Sequence, residues 1–153
     1  MAPERWRAVV AEVPFVDVVN SMLDPTIPLT INEWDEWGDP RDDPVMRAYL
    51  LSYSPYDNMP PLPWPDLLVT GNVHDSRVLI KEPARWVARL RATAAADPGA
   101  GPGTGAAGRL LFRAELGTEA HMGPTGRYDK LRYEAEVLAF IVTATGMPAA
   151  GAV

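Results

Sequence analysis

Residues 65–78 read PDLLVTGNVHDSRV, and the reading of this stretch decides the fold. Leu67, Leu68 and Val69 form a short apolar run, Thr70 and Gly71 close it, and Asn72 to Arg77 then crowd polar and ionisable groups together. A continuous apolar run of this length, bounded by turn residues, is the pattern of a strand buried on both faces. The polar cluster is then the loop that leaves its carboxyl end.

The flanking sequence repeats this unit. RAVVAEV (7–13), β-branched and closed by Pro14, predicts a strand, and RLLFRAE (109–115) predicts another. Between the strands lie helical stretches. VDVVNSML (16–23) reads as a short helix, and PVMRAYLLSY (44–53) as a longer one with Pro44 in its first turn. The prolines of SPYDNMPPLPWP stop it, since each lacks a donor and restricts the residue before it. From Pro83, PARWVARLRATAAA predicts a helix with Trp86, Val87 and Leu90 on one face. The segment 97–108 reads as a flexible glycine-rich insertion and 146–153 as a frayed tail. The last helix is expected over 127–145, with Leu131, Ala135, Leu138 and Val142 as its apolar stripe. The proline- and acid-rich stretch from Asp24 to Pro44 is expected to be an ordered loop. Strands separated by helices require crossovers, so the sheet is parallel with helices on both faces. Its functional crevice lies outside the carboxyl ends of the strands.

Composition narrows the chemistry. At 153 residues, 47% of them apolar, the chain has the size and material for one buried core. A formal charge of −6 argues against nucleic acid and against an anionic membrane surface, both of which require a basic patch. Cationic partners suit it. The absence of cysteine removes disulfides, thiolate metal sites and thiol nucleophiles together, and leaves the cytoplasm as the default compartment. Charged residues interrupt every apolar run near the amino terminus, so neither a signal-peptide core nor a membrane span is expected there.

Two groups of residues could carry chemistry. Asp75 follows the second strand and His121 follows the third, 46 positions on. Neighbouring parallel strands lie about 4.8 Å apart, so the two loops would emerge on one edge. An acid that fixes an imidazole's tautomer is what a general base in acyl transfer needs, and acid before histidine is the order of the last two triad members in α/β-hydrolases. The alternative is that Asp75 caps a turn and His121 is a loop histidine; spacing alone leaves both standing. No nucleophile accompanies them: Ser21, Ser52, Ser54 and Ser76 all lack the flanking glycines of a nucleophile elbow. With two histidines and no helical ligand pair, a metal site is disfavoured and no cofactor is expected. The second group is acidic. Glu33, Asp35, Glu36, Asp39, Asp42 and Asp43 are opposed locally by Arg41 alone, which suits a solvated loop or a seat for a cation. Trp34 and Trp37 favour an ordered wall, in which Glu33 and Asp35 could hold a guanidinium or ammonium by charge-assisted bonds.

Taken together, RAVVAEVPFVDVVNSMLDPTIPLTINEWDEWGDP, SYSPYDN, LLVTGNVHDSRV, EPARWVARLR and GRYDKLRYEAEVLAF resemble the oligopeptidase B branch of the prolyl oligopeptidase family of serine peptidases. The resemblance covers nearly the whole chain, and the blocks occur in the family's order. It implies a partial α/β-hydrolase fold over residues 1–153, the carboxyl-terminal half of a mostly parallel sheet, in a parent that also carries a β-propeller. It implies short peptides with Arg or Lys before the scissile bond as substrates. Asp75, opening a D-x-[RQN]-V pattern, matches the triad aspartate, His121 the triad histidine, and Glu33 with Asp35 the acidic pair that receives the basic side chain. Asp35 is shorter than the glutamate found in some members, and Ala120 and Met122 replace glycines that commonly surround the histidine. The nucleophile elbow, the upstream oxyanion donor and the propeller are not encoded here. The expectation is therefore a fragment, a truncated product or a late-assigned start, inactive by itself, or else a degenerate non-catalytic domain that binds basic peptides. A lipase or esterase is disfavoured, because an apolar acyl chain gains nothing from an acidic lining.

Overall fold

The structure, a computed structural model, describes residues 3–59, 63–97, 108–118, 120–121 and 123–147. Most of the expected insertion 97–108 and tail 146–153, together with Met122, lies outside the described residues. Three strands form the sheet: β1 (Ala8–Ala11), β2 (Asp66–Asn72) and β3 (Leu110–Glu115). They run parallel in the order β1-β2-β3, with Val10 opposite Leu68 and Leu68 opposite Leu111. The helices are α1 (Val18–Met22), α2 (Thr30–Trp37), α3 (Pro44–Tyr53), α4 (Lys81–Ala96) and α5 (Arg127–Thr145).

The central strand is covered on both sides, as its unbroken apolar run requires. Alternate residues face opposite ways. Leu68 packs with Phe140 and Ala144 of α5. On the other face, the amino end of α4 comes so close to Gly71 that a Cβ there would lie 3.1 Å from Pro83 Cγ. That approach accounts for the glycine in the strand. A second cluster, Val18, Val19, Met22 and Leu50, joins α1 to α3 away from the sheet. Asp43 starts α3 by accepting hydrogen bonds from the amides of Val45 (2.8 Å) and Met46 (3.0 Å), with Pro44 in the first turn where its missing N–H costs nothing.

Several helices differ from their sequence reading. The segment expected as a loop between Asp24 and Pro44 contains α2, held by tertiary contacts: the Trp34 indole donates to the Met22 carbonyl (3.0 Å), and the Trp37 ring meets Phe15 edge-on with centroids 5.5 Å apart. Helix α5 has its expected limits but buries a different face. Leu131 and Leu138 of the expected stripe are 53% and 60% exposed, whereas Phe140 and Ala144 are buried with Val137 and Ile141 packed around them. The register of α5 on β1 and β2 selects that row. Helix α4 also begins at Lys81, two residues before the expected Pro83.

Candidate active site

The carboxyl ends of β2 and β3 bring Asp75 and His121 together. Asn72, the last residue of β2 and 2% exposed, organises both loops. Its Oδ1 accepts from the His74 amide (2.8 Å), and its carbonyl accepts from the Asp75 amide (3.2 Å). Its Nδ2 donates to the Ala120 carbonyl (3.2 Å), one residue before His121. Asn72 was not singled out from sequence; a polar residue ending a buried strand, next to the ionisable cluster, is the signal that could have found it.

Asp75 is 2% exposed, and its carboxylate is fully used. Oδ1 accepts from the amides of Arg77 (2.8 Å) and Val78 (3.0 Å), while Oδ2 lies 2.7 Å from His121 Nδ1. The two amide bonds fix the carboxylate's rotation, so Oδ2 has one direction available for the imidazole. A carboxylate only accepts, which sets the proton on Nδ1 and leaves Nε2 as the basic nitrogen. Asp75 thus closes the turn with one oxygen and holds His121 with the other. His74 is exposed and contributes its amide to the turn.

His121 also borders a cavity of about 330 Å³ whose walls include Phe15, Ser21, Glu33, Glu36, Trp37 and Arg77. Glu33 reaches this space because α2 presents it there. Glu36, three residues on, shares the same face and the same cavity. Asp35 does not: residues two apart on a helix are separated by about 200°, and Asp35 is exposed outside the cavity wall. The structure thus brings together Asp75, His121 and Glu33, and sets Asp35 apart. Glu36, counted in sequence only as part of the acidic run, shares the wall. Two other acids of that run have local partners: Asp39 pairs with Arg41 (2.7 Å), whose guanidinium lies 3.6 Å from the Trp34 ring centroid, and Asp43 caps α3.

Two residues close in sequence to the cavity wall carry backbone strain. Among the described residues, the only non-glycine positive φ angles are at Val13 (39°) and Leu29 (78°). Val13 ends the segment after β1, two residues before Phe15, and its amide is held by Thr70 Oγ1 (3.1 Å). Leu29 is the residue before α2, the helix of Glu33. Strained residues of this kind, costing about 1–3 kcal/mol each, persist where the surrounding structure over-determines them.

Among the described residues, no serine hydroxyl is hydrogen-bonded to His121. Ser21 Oγ donates to Glu82 Oε1, Ser52 Oγ donates to the Tyr49 carbonyl (2.6 Å), and the Ser54 hydroxyl is buried without a hydrogen-bond partner among the described residues. Among the described residues, no group of three His, Asp or Glu side chains is arranged to hold a metal ion.

A parallel sheet that carries an acid and a histidine on successive loops at its carboxyl edge, between helices on both faces, is part of an α/β-hydrolase fold. The chain belongs to the prolyl oligopeptidase family, whose model matches residues 1–148. It is 43% identical over 149 residues to Protease 2 of Moraxella lacunata, covering 97% of this chain and 20% of that protein. It is 43% identical over 147 residues to dipeptidyl aminopeptidase BI of Pseudoxanthomonas mexicana, covering 96% and 19%. Among solved structures it resembles oligopeptidase B from Trypanosoma brucei with covalently bound antipain (TM-score 0.83, 34% identity, 97% of this chain and 19% of that one). Oligopeptidase B from Leishmania major is similar too (TM-score 0.79, 34% identity, 93% and 18%). The chain spans about a fifth of the length of the curated relatives it matches.

Proposed function

We propose that this chain supplies the acid–histidine pair and the specificity pocket of a serine oligopeptidase that cleaves short peptides after Arg or Lys, the attacking serine lying outside these 153 residues. The observation that carries the reading is the 2.7 Å contact between His121 Nδ1 and Asp75 Oδ2 beside a cavity that His121 shares with Glu33. In the reaction, a serine hydroxyl attacks the scissile carbonyl and gives its proton to His121 Nε2. His121 passes that proton to the leaving amine as the acyl-enzyme forms, then takes one from water in the hydrolysis that frees the serine. Asp75 holds the imidazole and stabilises its cationic form. Glu33 seats the basic side chain by a charge-assisted bond, and Asp35 adds negative potential from the outer side of α2. In this reading residues 1–153 are part of an α/β-hydrolase domain, the parent adds the nucleophile-bearing segment and a propeller, and the compartment is the cytoplasm. No described helix is long and apolar enough to cross a membrane.

The lack of a glycine-flanked serine favours a second reading for the chain by itself, a domain that binds basic peptides without hydrolysing them. Three measurements test the first reading and separate it from the second. Titration calorimetry with acetyl-arginine amide should show binding that weakens by about tenfold in Glu33→Gln, the loss of one charge-assisted bond. A fluorophosphonate probe should label none of the four serines. Labelling of any of them overturns the external nucleophile, and absence of arginine binding overturns the pocket. Hydrolysis of an arginyl reporter when the chain is recombined with a relative's serine-bearing segment decides for the peptidase over the binding domain.

A further inference from the structure

Glu82, in the first turn of α4, is 1% exposed, and burial raises its carboxyl above the ordinary range against the pull of its hydrogen bonds. The hydrogen bonds of its carboxylate go to α1 and to the two residues that lead into it. Oε2 accepts from the amides of Val16 (3.2 Å) and Asp17 (3.1 Å), and Oε1 accepts from the Ser21 hydroxyl. Helix α1 has no side-chain cap of its own, and a carboxylate from more than 60 residues away takes the amides of its N-cap Asp17 and of Val16 before it. Arg85, one turn further along α4, adds an ion pair to the buried Asp17 (2.8 Å).

The linkage runs on from α1 to the acidic helix. The Ser21 carbonyl accepts from Thr30 Oγ1 (3.3 Å) and the Met22 carbonyl from the Trp34 indole (3.0 Å), and both donors lie in α2 with Glu33. In the other direction, α4 begins three residues after Val78, whose amide binds Asp75 Oδ1. Glu82 therefore stands where the turn that holds His121 meets the support of the acidic wall.

We propose that Glu82 is a positioning residue that fixes the acidic wall of the cavity relative to the Asp75–His121 pair, without itself touching substrate. The proposal rests on the reading of that cavity as a seat for a basic side chain. Its chemistry makes a specific demand. Glutamine can replace the carboxylate, because its Oε1 can accept both amides while its Nε2 donates to Ser21 Oγ; methionine fills the same space and does none of this.

The test compares Glu82→Met with Glu82→Gln in the full 153-residue chain. In Glu82→Met the Trp34 indole N–H resonance should move in the absence of ligand, and affinity for acetyl-arginine amide should fall about tenfold, the size of one net hydrogen bond. Glu82→Gln should restore both, with affinity within about threefold of the parent. The His121 Nδ1–H resonance should persist in both variants. A folded Glu82→Met with unchanged indole resonance and affinity overturns the proposal, as does an equal loss in the two variants. Should Glu82→Met fail to fold, Ser21→Ala removes a single member of the clamp and must still move the Trp34 resonance. If the parent chain does not bind the arginine amide, the pocket reading fails, while the ligand-free resonances still decide whether Glu82 positions α2.

Discussion

At the scale of single residues, Asp75 shows how one side chain can close a turn and hold an imidazole at once. Its Oδ1 closes the turn after β2 and its Oδ2 orients His121, so variants can separate the roles. Asp75→Ala leaves the Arg77 and Val78 amides without their acceptor, and the stability loss should be about 1–3 kcal/mol by chemical denaturation. Asp75→Asn should cost less than that, because its carbonyl can still accept both amides. Its Nδ2, however, donates toward His121 Nδ1 and forces that nitrogen to accept. Nitrogen-15 spectroscopy should therefore find the proton on Nδ1 in the parent and on Nε2 in Asp75→Asn. The same tautomer in both would mean that Asp75 does not govern the imidazole.

At the scale of elements, α5 separates what sequence can dictate from what it cannot. Its limits were legible because Gly126 and Gly146 bracket it, and α3 was legible from Pro44 and the prolines after Tyr53. Its buried face was not. Apolar residues occur all around α5, so the row Leu131, Ala135, Leu138 and Val142 and the row Tyr133, Val137, Phe140 and Ala144 both satisfy helical spacing. Contact with Leu68 on β2 chooses between them. Phe140→Ala should accordingly cost about 3–5 kcal/mol, and Leu138→Ser no more than about 0.5 kcal/mol, in paired urea melts. The reverse order would restore the face expected from sequence. Helix α2 escaped sequence reading for a related reason. Eight residues carry too little periodicity, and the contacts that hold it are made by Trp34 and Trp37 to residues before it in the chain. The acid–histidine pair, by contrast, could be read from two strand ends and a parallel sheet, whereas the divergence of Glu33 and Asp35 depended on knowing that they sit on a helix.

At the scale of the whole molecule, the sheet and its covering helices leave a consistent set of surfaces open. Strand β1, Ala-Val-Val-Ala, pairs with β2 alone among the described residues, and all four of its residues are partly exposed. Nothing on that strand blunts the edge, for it has neither a charge nor a proline of its own. At the amino ends of the strands, Trp6, Trp64 and Trp86 line a mainly apolar cavity of about 360 Å³, and Trp6 is 63% exposed. Leu131 and Leu138 expose the outer row of α5. An unpaired strand edge with apolar surface around it recruits other chains, because pairing satisfies its amides and carbonyls while burying that surface. The 16.7 kDa chain should therefore self-associate, with a light-scattering mass that rises with concentration. Substituting lysine for Trp6 and Leu138 should lower that mass by adding charge and removing apolar area. A parent chain that stays at 16.7 kDa across the concentration series and melts in one sharp transition would show that the exposed edge is stable without a covering strand.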